Sequence, residues 1–164
     1  MKKPIAFEDA ADLLDADHNA VKKMFQEHNA MCEDNAPAVA KHRLAKNICQ
    51  ALTVHAQIEE EIFYPQVREA IGNDALMDDA LREHADAKAA IAAIEKMKAS
   101  DTRLDGAVKA LGALIDQHVL KEREQIFLKA RQAALDLRGM TLPLLKRQQQ
   151  LKPKTVPVPA KEAA

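Results

Sequence analysis

The chain has 164 residues, of which 48% are apolar, but it contains no Trp, one Tyr and four Phe. Its formal net charge of −1 gives no overall field that would attract nucleic acid or anionic lipid. No segment reads as a membrane span or a secretion signal, and Cys32 and Cys49 lack a CxxC spacing. We therefore expect a cytoplasmic protein with reduced thiols that binds neither nucleic acid nor membrane.

The composition favours an all-α fold. A core with few aromatic residues must be built from Ala, Leu, Ile, Val and Met, which suits closely packed helices. Only four Gly are present, and five of the seven Pro lie at position 4 or beyond residue 140, so the body has few turn residues. We expect few, long helices in one domain over residues 1–151.

The first half of the chain predicts two helices. Apolar residues recur every three or four positions over residues 7–31, and residues 34–37 are typical of a helix start with proline in the first turn. A second helix should run to about residue 64. Pro65 should end or kink it, because proline lacks a backbone donor and crowds the preceding turn.

The second half predicts two more helices, over residues 74–99 and 104–137, and a short one over residues 142–151. Short connections between long amphipathic helices imply antiparallel neighbours, and hence an up-down-up-down four-helix bundle. Residues 152–164 lack a packable face, so we expect them to be disordered. This basic, proline-containing tail could dock a protein partner, although an ordinary disordered terminus is the favoured interpretation.

Histidine and glutamate recur on the apolar stripes of the four long helices. Each helix carries one such His, and on the second and fourth helices a Glu follows four residues later. Residues four apart differ by only about 40° around a helix, so each His–Glu pair can reach one point. The pattern comprises His18, His55, Glu59, His84, His118 and Glu122.

Burial of two carboxylates costs several kcal/mol unless they are paired or coordinated. Two metal ions would remove that cost: four imidazoles supply two nitrogens per metal, and each glutamate bridges. A nitrogen and oxygen donor set without thiolate favours iron, with manganese less favoured. Positions left open on the metals would accept a small ligand such as O2, NO or peroxide.

Other polar residues near this pattern are assigned to the surface. Glu60, Glu61 and Glu124 are rotated by about 140° or 240° from the histidines and should lie on the outer face. His28 and His42 lack carboxylate partners at helical spacing, and we interpret them as rim or surface residues.

The segments HAQIEEEIFYP (from His55) and HVLKERE (from His118) resemble motifs of the hemerythrin-like HHE cation-binding family. The pattern of that family, H…HxxxE…H…HxxxE, covers about residues 10–137 here. The resemblance implies a four-helix bundle with a non-haem centre of two oxo- or hydroxo-bridged iron ions. It also implies terminal ligands at His18, His55, His84 and His118, with bridges at Glu59 and Glu122.

One departure narrows the expected function. Oxygen-carrying members of the family have a fifth histidine four residues after the third-helix His, where this chain has Lys88. The four-histidine members are associated with iron sensing, nitric oxide chemistry, repair of damaged iron centres and peroxide decomposition. We favour binding of a small ligand for sensing, storage or detoxification. The alternatives are a di-iron peroxidase or catalase-like enzyme, an iron donor for repair, and a structural module with incidental metal.

Three further residues could contribute to the site. Lys22 and Lys88 each follow a stripe histidine by four residues and could edge the pocket, but side chains that reach outward to water are the favoured interpretation. Tyr64 could supply a phenolate near iron, but packing at the edge of the core is favoured.

Overall fold

A computed structural model describes residues 8–153, which form seven α-helices and two short π-helical segments. In chain order these are α1 (Ala10–Glu33), α2 (Ala38–Ile58), a first π segment (Glu59–Phe63), α3 (Tyr64–Ile71), α4 (Asp74–Glu95), α5 (Leu104–Lys121), a second π segment (Glu122–Phe127), α6 (Leu128–Gln132) and α7 (Thr141–Leu151). Residues 1–7 and 154–164, and with them most of the tail expected to be disordered, lie outside the described range.

Four long helical segments form the bundle. Two of them are composite, because α2, the first π segment and α3 are continuous, as are α5, the second π segment and α6. Helix α1 packs on α2 and α5, α4 packs on the same two helices, and α7 lies across α1 and α2. The predicted all-α four-helix bundle with a short C-terminal helix is thereby confirmed. Within residues 8–153, no helix is both long and apolar enough to cross a membrane.

Local signals in the sequence fix where the helices begin. The Asp9 side chain accepts a hydrogen bond from the backbone of Asp12 at 2.9 Å and caps α1. Asn73 caps α4 in the same way, directly after Gly72, whose φ of 62° ends α3 in the left-handed conformation. Pro37 was expected in the first turn of α2, but it is the residue immediately before that helix.

Of the two outcomes expected at Pro65, an end or a kink of the second helix, the end is excluded. The chain remains helical from Ala38 to Ile71, and Pro65 lies in the first turn of α3, immediately after the π segment. The fixed φ of proline suits the start of a helix. The change of helix type just before it therefore accommodates a residue that an uninterrupted α-helix would not.

A buried polar layer divides the core into two apolar clusters. One cluster includes Leu13, Phe63 and Leu144, and the other includes Ile48 and Leu111. On each of the four long segments, the stripe histidine lies between the residues of one cluster and those of the other. The apolar packing above and below therefore holds the polar layer in place.

Candidate metal centre

The polar layer consists of the six residues that the sequence pattern singled out. All six are buried: the two glutamates are 0% exposed, and the four histidines are between 5% and 7% exposed. The structure groups them into two sets of four, and both sets contain Glu59 and Glu122. His18 and His55 complete one set, here called the first half-site, and His84 and His118 complete the other, the second half-site.

In each half-site the two imidazoles face each other through their Nε2 atoms. The Nε2–Nε2 distance is 3.1 Å between His18 and His55 and 3.2 Å between His84 and His118. Two cis ligands of an octahedral metal, each at about 2.1 Å, would be about 3.0 Å apart. The spacing of each pair is therefore that of two nitrogens sharing one cation.

Both glutamates reach both half-sites. Glu122 uses a different oxygen for each, with Oε1 3.1 Å from His18 Nε2 and Oε2 3.2 Å from His118 Nε2. Glu59 uses a single oxygen, since Oε1 lies 3.1 Å from His55 Nε2 and 3.3 Å from His84 Nε2. A carboxylate placed between two nitrogen pairs can bridge two metal ions.

The Nδ1 atom of every stripe histidine contacts a carboxylate. The four pairs are His18 with Asp15, His55 with Asp17, His84 with Glu60, and His118 with Glu83, at 3.0–3.1 Å. A carboxylate accepts the Nδ1 proton and thereby leaves Nε2 as a bare lone pair. Facing Nε2 lone pairs repel each other unless a proton or a metal ion lies between them, so this arrangement suits a bound cation.

Each of these outer carboxylates has a further partner on the protein surface. Arg123 donates to Asp15, Gln148 of α7 donates to Asp17 at 2.9 Å, and Lys88 donates to Glu60 at 2.7 Å. Lys121 lies 3.8 Å from Glu83. The expectation that Glu60 lies on the outer face was wrong, because it connects His84 to Lys88, whereas Lys88 itself points largely to solvent.

The buried carboxylates fit a cation and not an apolar core. Within residues 8–153, Glu59 Oε2 has no hydrogen-bond partner, and Glu59 Oε1 and Glu122 Oε1 face only the Nε2 atoms of the stripe histidines. An unpaired buried charge costs several kcal/mol. Burial alone would raise the pKa of Glu122, but hydrogen bonds with His118 and His18 hold it well below its usual range, so this carboxyl is ionised.

The buried carboxylates also change the pKa of the imidazoles. Burial alone would lower the pKa of His84, but its hydrogen bonds with Glu59 and Glu60 outweigh burial and raise that pKa to about 9. A proton and a metal ion compete for the same Nε2 lone pair. The carboxylates that make the imidazole basic therefore also make it a strong metal ligand.

The two π segments begin at the two glutamates of the layer. A π turn takes in roughly one residue more than an α turn, so the fifth residue after each glutamate returns to about the same face. On an uninterrupted α-helix that residue would lie about 140° away. The two residues so placed are Tyr64, after Glu59, and Phe127, after Glu122.

Tyr64 was expected to pack at the edge of the core, but it belongs to the second half-site. Its hydroxyl lies 3.2 Å from His84 Nε2 and 3.4 Å from His118 Nε2, and it donates to Glu122 Oε2. Burial, and then the nearby Glu122 and Glu59 carboxylates, raise the pKa of this phenol well above its usual range. In the first half-site, the Phe127 ring stacks on His18 with a centroid distance of 6.0 Å.

A small cavity adjoins the layer. It has a volume of about 30 Å³ and is lined by all four stripe histidines, with Leu52, Ile91 and Ile115 among its apolar walls. One water molecule needs about 10–15 Å³ of such space, so the cavity has room for about two waters or a ligand of similar size.

Of the two remaining histidines, His28 contradicts the expectation of a rim or surface residue, and His42 agrees with it. His28 is 1% exposed and fully buried in the bundle. His42 is half-buried, and its Nε2 lies 3.1 Å from the backbone oxygen of Met97.

Comparisons with known proteins agree with this fold. A family model described as the hemerythrin HHE cation binding domain matches residues 9–130. A curated protein named DNA nickase, from Nostoc sp. (strain PCC 7120), is 28% identical over 116 residues, which is 71% of this chain and 32% of that protein. The chain thus spans about a third of that relative's length.

Among solved structures, the crystal structure of a hemerythrin HHE cation binding domain-containing protein from Mycobacterium kansasii is similar to this one. The TM-score is 0.72 at 16% sequence identity, and the match covers 88% of each chain. At this level of identity the likeness shows a shared fold.

Proposed function

The chain belongs to the hemerythrin HHE cation-binding domain family, and from that premise we propose that it is a non-haem di-iron protein that binds a small ligand, O2, NO or peroxide, for sensing, storage or detoxification. The single observation that carries the proposal is the pair of half-sites that share two buried glutamates. His18, His55, His84 and His118 would be terminal ligands, and Glu59 and Glu122 the bridges. In this site bound iron supplies open coordination positions and redox chemistry.

Iron is proposed because of the donor atoms. The six residues offer imidazole nitrogens and carboxylate oxygens with no thiolate, a set that suits iron, with manganese as the less favoured choice. Two shared carboxylates leave each metal with about four protein bonds. That number exceeds what a catalytic zinc site takes from protein and leaves an octahedral ion incomplete.

The protein's own residues select the ligand. The outer carboxylates fix the four imidazole rings, and the apolar cavity of about 30 Å³ beside them excludes bulky molecules. Leu52, Ile91 and Ile115 make its walls largely apolar, and Lys88 also lines it, so a cationic side chain lies beside the apolar surface. These features support a diatomic molecule or peroxide as the ligand.

Decomposition of peroxide is the second candidate, and Tyr64 is the observation that favours it. Its phenol is buried beside both second half-site nitrogens and stays protonated at neutral pH. A phenol held there is a ready donor of a proton to a bound ligand. We expect Tyr64→Phe to preserve metal binding and to lower any peroxide turnover by about a hundredfold, the lower end of the range for a positioned acid. Equal turnover by the variant would remove Tyr64 from that role.

The experiment that tests the proposed function counts metal on protein purified from iron-supplemented cells. We expect two irons per chain in the wild type and fewer than two in His118→Ala. His42→Ala is the matched control, since it removes a histidine outside the layer and should retain both irons. Folded wild-type protein that contains no iron, whether or not it holds another metal, would contradict the proposal.

Visible absorption and oxygen evolution after addition of peroxide then separate the two candidates. A stable spectral change without oxygen release supports ligand binding. Rapid oxygen release that depends on Tyr64 supports the enzyme.

A further inference from the structure

A second group of metal-binding side chains lies about 15 Å further along α1, ten residues beyond His18. His28 and Cys32 project from α1 with the same four-residue spacing as the His–Glu pairs, and Asp105 joins them from the first turn of α5. The three residues offer a nitrogen, a sulfur and an oxygen that all lie within 4.8 Å of one another.

The distances fit a tetrahedral cation. Cys32 Sγ is 3.6 Å from His28 Nδ1. A tetrahedral zinc with a bond of about 2.3 Å to sulfur and about 2.0–2.1 Å to nitrogen would hold these two atoms about 3.6 Å apart. The observed spacing therefore needs little or no rearrangement to accept the ion.

The burial of His28 points to a ligand independently of that spacing. His28 is 1% exposed, and within residues 8–153 its Nε2 has no hydrogen-bond partner. Its Nδ1 faces only a sulfur, which is a weak partner. A buried imidazole without a nitrogen or oxygen partner is costly in an apolar bundle, and coordination would give Nδ1 a strong partner in place of the weak contact with sulfur.

The protonation states and charges are also suitable. Burial lowers the pKa of His28, which keeps its imidazole neutral, as a metal ligand must be. Lys41 donates to Asp105 Oδ2 at 2.7 Å and lowers the pKa of that carboxyl. The Cys32 thiol also hydrogen-bonds this carboxylate, so two of the three proposed ligands are already in contact. Burial, with Asp105, raises the pKa of the Cys32 thiol, so a metal must displace its proton on binding.

We propose that His28, Cys32 and Asp105 form a separate site for one zinc-like divalent cation. Thiolate and carboxylate together balance the two positive charges, and the thiolate selects a softer metal than the His/Glu layer does. Three protein ligands leave a fourth position for water or another ligand. A cavity of about 330 Å³, lined by Lys41, Ser100 and Asp105, provides room beside the site.

Cobalt(II) tests this proposal because a cobalt–thiolate bond gives a near-ultraviolet charge-transfer absorption. The six residues of the His/Glu layer contain no sulfur, so cobalt there cannot give that signal. We would titrate iron-loaded, full-length protein with Co²⁺ under a non-chelating phosphine reductant. The expected result is a thiolate-to-cobalt band that saturates at one Co²⁺ per chain and is displaced by Zn²⁺.

Cys32→Ser should abolish the band, and Asp105→Asn should weaken cobalt binding by about tenfold or more, the loss of one charged ligand. Cys49→Ser is the matched control, because Cys49 is fully buried in the apolar core and should leave the band unchanged. Circular dichroism of each variant checks that it is folded. The proposal is overturned if folded wild-type protein shows no band, or if the band survives Cys32→Ser.

Discussion

Substitution of Asp17 gives the most direct test of whether the outer carboxylates of the polar layer strengthen metal binding. The Asp17 Oδ2 atom accepts from His55 Nδ1 at 3.1 Å and from Gln148 at 2.9 Å. Asp17→Asn keeps the shape of the side chain but removes the charge that holds His55 in its metal-binding tautomer. Loss of such a partner typically weakens metal binding by about tenfold to a hundredfold.

The expected loss of iron affinity in Asp17→Asn follows from the position of Asp17. Its side chain is 26% exposed, so solvent weakens its field and the effect should fall near the lower bound, about tenfold or about 1.4 kcal/mol. The loss should be confined to the first half-site, because His84 and His118 are held by Glu60 and Glu83 instead. One iron should therefore become easier to remove while the other is unaffected.

Competition with a chelator measures this effect. Iron retained per chain is followed as chelator concentration rises, and the wild type, Asp17→Asn and the control Asp86→Asn are compared. Asp86 is exposed on α4, so its variant should behave as the wild type does. If folded Asp17→Asn released both irons together, or neither more easily than the wild type, the half-site reasoning would fail.

Two further predictions concern α7, which lies beyond the residues matched by the family model. Gln148→Leu removes the donor to Asp17, so we expect iron in the first half-site to bind about fivefold more weakly, the effect of roughly 1 kcal/mol in one hydrogen bond. The exposed neighbour gives the control, Gln149→Leu, and equal chelator curves for the two variants would disprove the link. Leu144→Ala should lower the free energy of unfolding by about 3 kcal/mol, because Leu144 is 0% exposed in the core, and urea titration would measure the loss. A change below about 1 kcal/mol would mean that α7 does not belong to the cooperative core.

The sequence predicted the bundle and the convergence of the six polar residues because both depend on α-helical periodicity. On the two composite helices that periodicity holds from the start of the helix to the glutamate of the layer. His55 and Glu59 could therefore be placed on one face without a structure. Beyond each glutamate the helix becomes a π-helix, and extrapolation at 100° per residue fails. Tyr64 was misplaced for this reason, whereas the contact missed at Glu60 is with His84 of another helix.

The carboxylates behind the histidines illustrate a second limit. Asp17 and Glu83 directly precede stripe histidines, yet each contacts the histidine of the next helix of the bundle, and not its own neighbour. Helical spacing within one segment carries no information about such a contact. The acidic residue immediately before a stripe histidine is nevertheless a repeated signal, present on α1 and α4 alike. His28 and Cys32 likewise show the four-residue spacing of a ligand pair, but the partner on α5 becomes visible only in the folded chain.

The two composite helices make the half-sites similar in backbone and unequal in chemistry. Each contributes a His, a Glu four residues later and a π segment that turns the fifth residue after the Glu inward. At that position one helix has Tyr64, whose hydroxyl reaches His84 and His118, and the other has Phe127, whose ring only stacks on His18. Because phenylalanine has no atom that can donate to or coordinate at the first half-site, a ligand there meets fewer protein groups. The difference of one hydroxyl group therefore gives the second half-site a proton donor that the first half-site lacks.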